Sequence, residues 1–284
     1  MRTSAPKYGS FNLVMYSVFG DESYDEKRER VFAIAGLFGD EDDWGRAEEA
    51  WTAKTGGKEV HATECERDDP RGLFKDLIQV LAKSKLFGFG VAMDLTNYDS
   101  IFNNAADEYL PYYICFTRVV DHFAEFASWM IPQDKVKFTF DQNLKVQYNA
   151  GAIYQYAAQV PDHEHLRFLA DEISFSTRKN PRVQCADWWT REVMKHMDNT
   201  IVGPVRRPMR LSLIELRKTN RFGFTMYDHA YFEGLKRKII AESGPPTGKY
   251  EAWRKNLGLQ DSTSSRIRYE AEMGTLLQPK KSTS

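Results

Sequence analysis

Two acidic residues, Asp21 and Glu22, directly follow the apolar run from Asn12 to Gly20. Such a run is typical of a buried strand, so the two carboxyl groups are carried at its end. Isolated charges removed from water cost several kcal/mol unless a divalent cation or a paired base compensates them. The chain must therefore fold so that other groups reach this strand end, and further acids there would make a metal site.

The composition is typical of a globular protein. Of the 284 residues, 42% are hydrophobic and 28% are charged, and no apolar stretch approaches the roughly 18 residues of a membrane span. We predict no export signal, because Asn12 interrupts the N-terminal apolar run and Gly20-Asp21 is a poor cleavage site. The three cysteines are far apart and lack metal-ligand spacing, which favours reduced thiols. We expect a soluble, cytoplasmic protein with no membrane partner.

The charge is unevenly distributed along the chain. Residues 201–284 carry 16 Lys and Arg against 8 Asp and Glu, which leaves, of the totals of 39 and 40, 23 against 32 for residues 1–200. A basic tail on an acidic body is typical of polyanion binding. An acidic body that docks its own basic tail has the same charge pattern, and both interpretations stay open at this point.

The apolar periodicity predicts a mixed sheet flanked by helices. Strands are predicted over 12–20, 31–38, 86–95, 136–141 and 172–176, and helices over 42–52, 71–85, 110–130, 145–159, 182–197 and 226–241. The first two strands form a hairpin with a loose connector, and strand–helix alternation follows later. Gly203-Pro204 marks a boundary. We predict one domain over 1–200 and a basic, partly helical extension over 201–284, disordered from Gln278.

Three aspartates are candidates for one site. Asp21 ends the first strand, Asp141 ends the strand 136–141, and helical spacing places Asp187 on the apolar, inward face of its helix. Taken singly, Asp141 also suits a turn and Asp187 also suits a buried ion pair. Together they form the oxygen-rich site that Mg²⁺ and Mn²⁺ prefer, and two such ions catalyse phosphodiester cleavage in many enzymes.

The segment from Gly57 to Glu64 offers further polar groups. Glu59 and His61 point the same way if the segment is extended, whereas His61 and Glu64 do so if it is helical. Either arrangement supplies a metal ligand, or a histidine that transfers protons near neutral pH. The alternative is a solvated polar connector.

The order of these motifs resembles a known family. Phe19-Gly-Asp-Glu-Ser23, Glu59-Val-His61, Phe140-Asp141 and Asn180-Pro-Arg-Val-Gln-Cys-Ala-Asp187 follow the pattern of the domain of unknown function 3800 family. That family looks like a branch of the ribonuclease H-like, or retroviral-integrase-like, superfamily. The resemblance covers roughly residues 12–197, and Tyr24 stands where members usually have Gly.

The resemblance implies an α/β, ribonuclease H-like domain over 1–200. Its mixed five-stranded sheet would have the first three strands antiparallel, with helices on both sides and the long helix 110–130 as an insertion. The metal ligands would be Asp21, Asp141 and Asp187. Glu22 or Glu59 would be the fourth carboxylate, and this choice stays open.

Two functions are consistent with these residues. The first is a divalent-metal-dependent nuclease, or a related phosphodiester-processing enzyme, that uses Mg²⁺ or Mn²⁺ on DNA or RNA, assisted by His61 or Lys179, with the basic extension holding phosphates. The alternative is a non-catalytic nucleic-acid- or protein-binding module of the same fold, in a defence or mobile-element system. An arginine or lysine closed on the acids would favour this second function. A phosphatase with Asp21 as nucleophile is disfavoured, because Ser23 stands where a second Asp is expected.

Overall fold

A mixed sheet of six strands forms the centre of the part of the chain that the structure describes. This computed structural model describes residues 15–25, 27, 29–68, 72–102, 110–131, 134–159, 164–201 and 207–242. The strands are β1 (Tyr16–Tyr24), β2 (Val31–Asp40), β3 (Phe87–Asp94), β4 (Val136–Asp141), β5 (Leu169–Ser176) and β6 (Phe222–Tyr227). Their order is β5-β4-β1-β2-β3-β6, with β1, β2 and β3 antiparallel and the remaining pairs parallel.

Helices cover both faces of this sheet. They are α1 (Glu41–Thr55), α2 (Ala62–Arg67), α3 (Leu73–Lys83), α4 (Leu95–Phe102), α5 (Leu110–Met130), α6 (Gln147–Gln159), α7 (Pro181–Ile201), α8 (Leu211–Arg217) and α9 (His229–Glu242), with a short 3-10 helix over Glu164–Phe168. Helix α7 crosses β1, β2 and β3 on one face, and α5 packs on β2 and β3 on the other. Among the described helices, none is long and apolar enough to span a membrane.

The prediction of an α/β protein with a mixed sheet between helices is confirmed, but the predicted count of five strands is wrong. The sixth strand, β6, pairs in parallel with β3 and comes from the segment that we assigned to the C-terminal extension. Residues 207–242 therefore contribute to the same sheet as residues 15–201, and the predicted boundary near residue 200 is not a break in it. The predicted disordered end, from Gln278, lies outside the described residues.

Asp21 and Glu22 lie within β1 and not after it, which corrects the predicted end of the first strand. Pairing with β2 continues through Asp21 opposite Ala35 to Tyr24 opposite Phe32. In the described residues of the hairpin connector, the Asp25 side chain binds the main chain. Oδ1 of Asp25 accepts hydrogen bonds from main-chain N–H groups later in the connector, at 2.9 Å and 3.0 Å for Arg30 and Val31.

Strand alternation decides which face of the sheet each acid occupies. Phe19 belongs to the core under α7, so Asp21, two residues on, faces α7 as well, while Glu22 faces the α5 side. On β4, Phe140 belongs to the core under α5, and Asp141 therefore faces α7. Two aspartates from neighbouring parallel strands thus emerge on the same face.

The β1–β4 pairing depends on the absence of a side chain at Gly20. Gly20 lies opposite Phe140 on the parallel neighbour strand. A Cβ atom added at residue 20 would lie 2.6 Å from Cδ1 of Phe140, which is far inside van der Waals contact. The Phe140 ring is fully buried and belongs to the core under α5, so it has little room to move.

We predict that Gly20→Ala destabilises the protein because it forces the Phe140 ring out of its packed position. Overpacking of this kind costs about 1–3 kcal/mol. Denaturant unfolding of the two proteins measures the loss. The matched control is Gly45→Ala in α1, where an added Cβ meets nothing within 4 Å, so that variant should gain about 0.5–1 kcal/mol. Equal stability of wild type and Gly20→Ala would contradict the packing argument.

Candidate functional site

The three predicted aspartates lie together under α7 at the carboxyl ends of β1 and β4. Their exposed fractions are 0% for Asp21, 7% for Asp141 and 2% for Asp187. Burial, and then the charges of Asp187 and the other nearby acids, raise the pKa of Asp21 well above its ordinary value. The structure therefore brings the three side chains into one electrostatically coupled cluster.

Asp21 is the least compensated member of this cluster. Its Oδ1 accepts a hydrogen bond from the N–H of the next residue, Glu22, at 2.7 Å. Its Oδ2 is buried and has no hydrogen-bond partner among the described residues. A buried charged oxygen without a donor is strongly unfavourable, so this atom is where a cation or a donor from a ligand would be most stabilising.

Asp187 connects the cluster to the start of α2. Its Oδ2 accepts the N–H of Ala62, the first residue of that helix, at 2.8 Å. His61 lies beside it, with Nδ1 3.6 Å from the same oxygen. That Nδ1 already accepts the N–H of Thr63 at 3.1 Å and caps α2, a role that requires the ring nitrogen to be unprotonated. His61 is thus at the site as a helix cap, and its predicted part in proton transfer stays a prediction.

Asp141 is paired with a residue that sequence reasoning missed, Arg178. The Nε atom of Arg178 lies 3.2 Å from Oδ2 of Asp141. Burial alone would lower the pKa of Arg178, but the charges of the four surrounding acids outweigh this effect and raise it. Burial raises the pKa of Asp141, and the charge of Arg178 opposes that shift. Arg178 is therefore the counter-charge that the structure supplies to the cluster.

The other two predicted carboxylates, Glu22 and Glu59, border an open pocket of about 420 Å³ beside the cluster. Asp141 and Arg178 line the same pocket. Glu22 faces the α5 side of the sheet and accepts a hydrogen bond from Nδ2 of Asn143 at 2.8 Å. Both candidates for the fourth carboxylate thus line this pocket. Glu22 is carried by β1, and Glu59 is carried by the segment before α2.

The present side-chain arrangement is not that of a loaded metal site. Within the described part of the chain, no three His, Cys, Asp or Glu side chains are positioned to hold one metal ion together. Two of the aspartates use an oxygen elsewhere, Asp141 on Arg178 and Asp187 on the N–H of Ala62. Of the three aspartates, Asp21 has a fully buried oxygen, Oδ2, with no hydrogen-bond partner among the described residues. The donor chemistry suits Mg²⁺ or Mn²⁺, but these contacts compete with an ion.

Three basic residues of the extension, Arg210, Arg221 and Lys236, bind to the rest of the protein. Arg210 pairs with Glu66 at 2.8 Å and with Glu192 at 3.1 Å. Arg221 donates to main-chain carbonyls at the end of α3, and Lys236 donates to a carbonyl of α4. These three side chains therefore hold the extension on the body of the protein, Arg210 through acids and the other two through main-chain carbonyls.

Comparison of the sequence with protein-family models and with curated proteins gives no match. The motif resemblance therefore stays a prediction. The geometry and chemistry of the cluster are the remaining indications of function.

We predict that Asp21→Asn stabilises the protein in the absence of divalent cations. In the unfolded chain this carboxyl group titrates near its ordinary pKa of about 3.9, whereas in the folded protein its pKa is raised. The folded state therefore holds the proton more tightly, and stability falls as the pH rises from about 4 through the raised folded pKa. Asn does not titrate and avoids this loss. Above that range we expect a gain of about 1–3 kcal/mol.

Urea unfolding at acidic and at mildly alkaline pH, with a chelator present, measures this gain. The stability difference between Asp21→Asn and wild type should grow with pH. Glu172→Gln on β5, which changes an exposed carboxylate, should stay within about 0.5 kcal/mol of wild type. A variant that is less stable than wild type at alkaline pH would show that Asp21 is compensated in the folded state.

Proposed function

We propose that the aspartate cluster binds Mg²⁺ or Mn²⁺ and that the protein is a divalent-metal-dependent nuclease, or a related phosphodiester-processing enzyme, of ribonuclease H-like fold. The observation that carries this proposal is the fully buried Asp21, whose Oδ2 has no hydrogen-bond partner among the described residues and whose neighbours are acids. A site that keeps an uncompensated carboxylate at the expense of stability has the chemistry of a cation site.

The position of the acids in the fold supports the same proposal. The motif resemblance implies acids on the first strand, the fourth strand and the last helix of the domain, with the first three strands antiparallel. Asp21 lies on β1, Asp141 ends β4, and Asp187 lies on α7. Strand β6 and helices α8 and α9 would then be additions to the five-stranded arrangement.

The residues of the chain have separate roles in this proposal. Asp21, Asp141 and Asp187 would hold the cation, with Glu22 or Glu59 at the pocket edge. The bound ion would supply an activated water and charge stabilisation at the leaving oxygen. Arg178 would leave Asp141 when the cation binds, and its planar guanidinium group would then be available to hold a phosphate oxygen.

A second candidate function is favoured by one specific contact. The ion pair between Arg178 and Asp141 occupies a position where a cation would be needed. In a non-catalytic nucleic-acid- or protein-binding module, this arginine would replace the ion permanently. The two functions differ in whether the wild-type protein binds a divalent cation at all.

We predict that calorimetric titration detects Mn²⁺ binding to wild type and much weaker binding to Asp21→Asn and Asp187→Asn. The same two variants should lose at least about 100-fold in Mg²⁺- or Mn²⁺-dependent cleavage of single- or double-stranded DNA or RNA, because each loses an anionic ligand of the ion. The conservative change to Asn keeps the side-chain shape, and Glu172→Gln serves as the matched control that should cleave like wild type.

Three results would reject the enzyme proposal. These are the absence of Mn²⁺ binding to folded wild type, equal cleavage by wild type and both variants, and cleavage that persists in the presence of a chelator. The first of them, together with binding of nucleic acid or of a protein, would support the non-catalytic module.

A further inference from the structure

We propose that the rim of the pocket binds an unpaired nucleobase, so that the substrate is single-stranded nucleic acid or a strand with unpaired nucleotides beside the scissile bond. This inference rests on the proposed function and adds a substrate class to it. We define the rim as residues 143–148, of which Asn143 and Leu144 line the pocket, together with the loop that joins β5 to α7, of which Thr177 and Arg178 line it.

Two large apolar side chains on this rim are exposed. The exposed fractions are 77% for Leu144 and 86% for Tyr148. The N–H of Gln147 donates to the carbonyl of Asn143 at 2.9 Å, so the chain already turns helically before α6 begins. Leu144 and Tyr148 are one helical turn apart, and side chains with that spacing project from the same face.

Leu144 borders the proposed active site, and Tyr148 follows four residues later in the chain. Leu144 lines the same pocket as Asp141 and Arg178. The chain on both sides of Tyr148 is anchored to the body of the protein. Asn143 donates to Glu22, and Asn149 donates from Nδ2 to the hydroxyl oxygen of Tyr113 at 3.0 Å. The Tyr148 ring is therefore displayed on a firmly held segment without being packed itself, which is the form of a stacking platform.

Two exposed lysines near this platform can pair with a phosphate backbone, while the acids that line the pocket itself are those assigned to the cation. Lys145 is exposed between the two apolar residues, and Lys179 is exposed next to Arg178 on the facing loop. Strands β4 and β5 are parallel neighbours, so the loops that follow them lie at the same edge of the sheet. Aromatic rings for bases combined with cations for phosphates are the usual equipment of proteins that bind single strands.

An unpaired base fits this rim better than a nucleic-acid duplex or a protein partner does. In a duplex the base faces are covered by stacking, so a lone exposed tyrosine has no ring face to bind. A protein partner would require a larger apolar area than two side chains offer. Trp129 and Met130 are also exposed, with Trp129 at 74%, but they end α5 near the start of β4, away from the pocket. Trp129 is thus a matched aromatic control.

The test measures binding separately from cleavage. In the full-length Asp21→Asn background, with Mg²⁺ present, anisotropy of short labelled single strands of DNA and RNA and of the matching duplexes reports affinity. We predict that Tyr148→Ala weakens single-strand binding about 5- to 150-fold, which corresponds to the loss of one base–aromatic stack. Tyr148→Phe should bind within about twofold of the parent because it keeps the ring. Trp129→Ala should bind like the parent, and duplex affinity should change little in all variants.

Thermal melting checks that each variant is folded. We expect folded variants because the side chains of Tyr148 and Trp129 are largely exposed. The inference is overturned if Tyr148→Ala binds single strands as tightly as the parent, if Tyr148→Phe is as weak as Tyr148→Ala, or if single strands and duplexes lose affinity equally. If Tyr148→Ala weakens single-strand binding but the wild type shows no metal-dependent cleavage, the base-stacking inference is supported and the nuclease proposal is rejected. If the wild type cleaves but Tyr148→Ala binds normally, the nuclease proposal is supported and the base-stacking inference is rejected.

Discussion

The packing of α7 across the centre of the sheet is the interaction on which the rest of the structure depends. The helix approaches β3 closely because Gly90 has no side chain; a Cβ there would lie 2.9 Å from Cγ2 of Val193. It also contacts β1 directly, since Oγ1 of Thr190 lies 3.2 Å from the main-chain carbonyl oxygen of Asp21 and 2.8 Å from that of Ala186, which share its single proton. One turn before Thr190, Asp187 is carried into the layer between helix and sheet. The contact that completes the core under α7 therefore also assembles the acid cluster.

The buried acids of α7 and β1 fall into two kinds, which differ in how many basic residues are paired with them. Glu192 is fully buried, and it is paired with Arg210, which also binds Glu66. Arg191 binds the second oxygen of Glu66 at 2.9 Å, so this network carries two acids and two bases. Among the described residues, the Asp21 cluster is paired with one arginine, Arg178, through Asp141. The Glu192 network is therefore balanced in charge, whereas the Asp21 cluster has more acids than bases.

The sequence predicts the elements that are defined by a local periodic pattern. It does not predict contacts between residues that are far apart in the chain. Helix α5 and strand β4 have their predicted bounds, because an uninterrupted apolar period defines each of them. The inward direction of Asp187 follows from the same helical period. Strand β6 was missed because it is short and adjoins a helical signal. Arg178 was missed because its partner, Asp141, lies on another strand. The available signal was that the segments after β4 and β5 leave the same edge of two parallel strands.

Gly20 has a consequence for the chemistry of the opposite face of the sheet. A shift of β1 by one residue against β4 would turn Asp21 toward α5 and bring its neighbours under α7, because successive side chains on a strand alternate between faces. The contact between Gly20 and the Phe140 ring resists such a shift from the α5 side of the sheet. Strand register thus decides which carboxyl groups lie under α7, and packing in the core on the other face of the sheet holds that register.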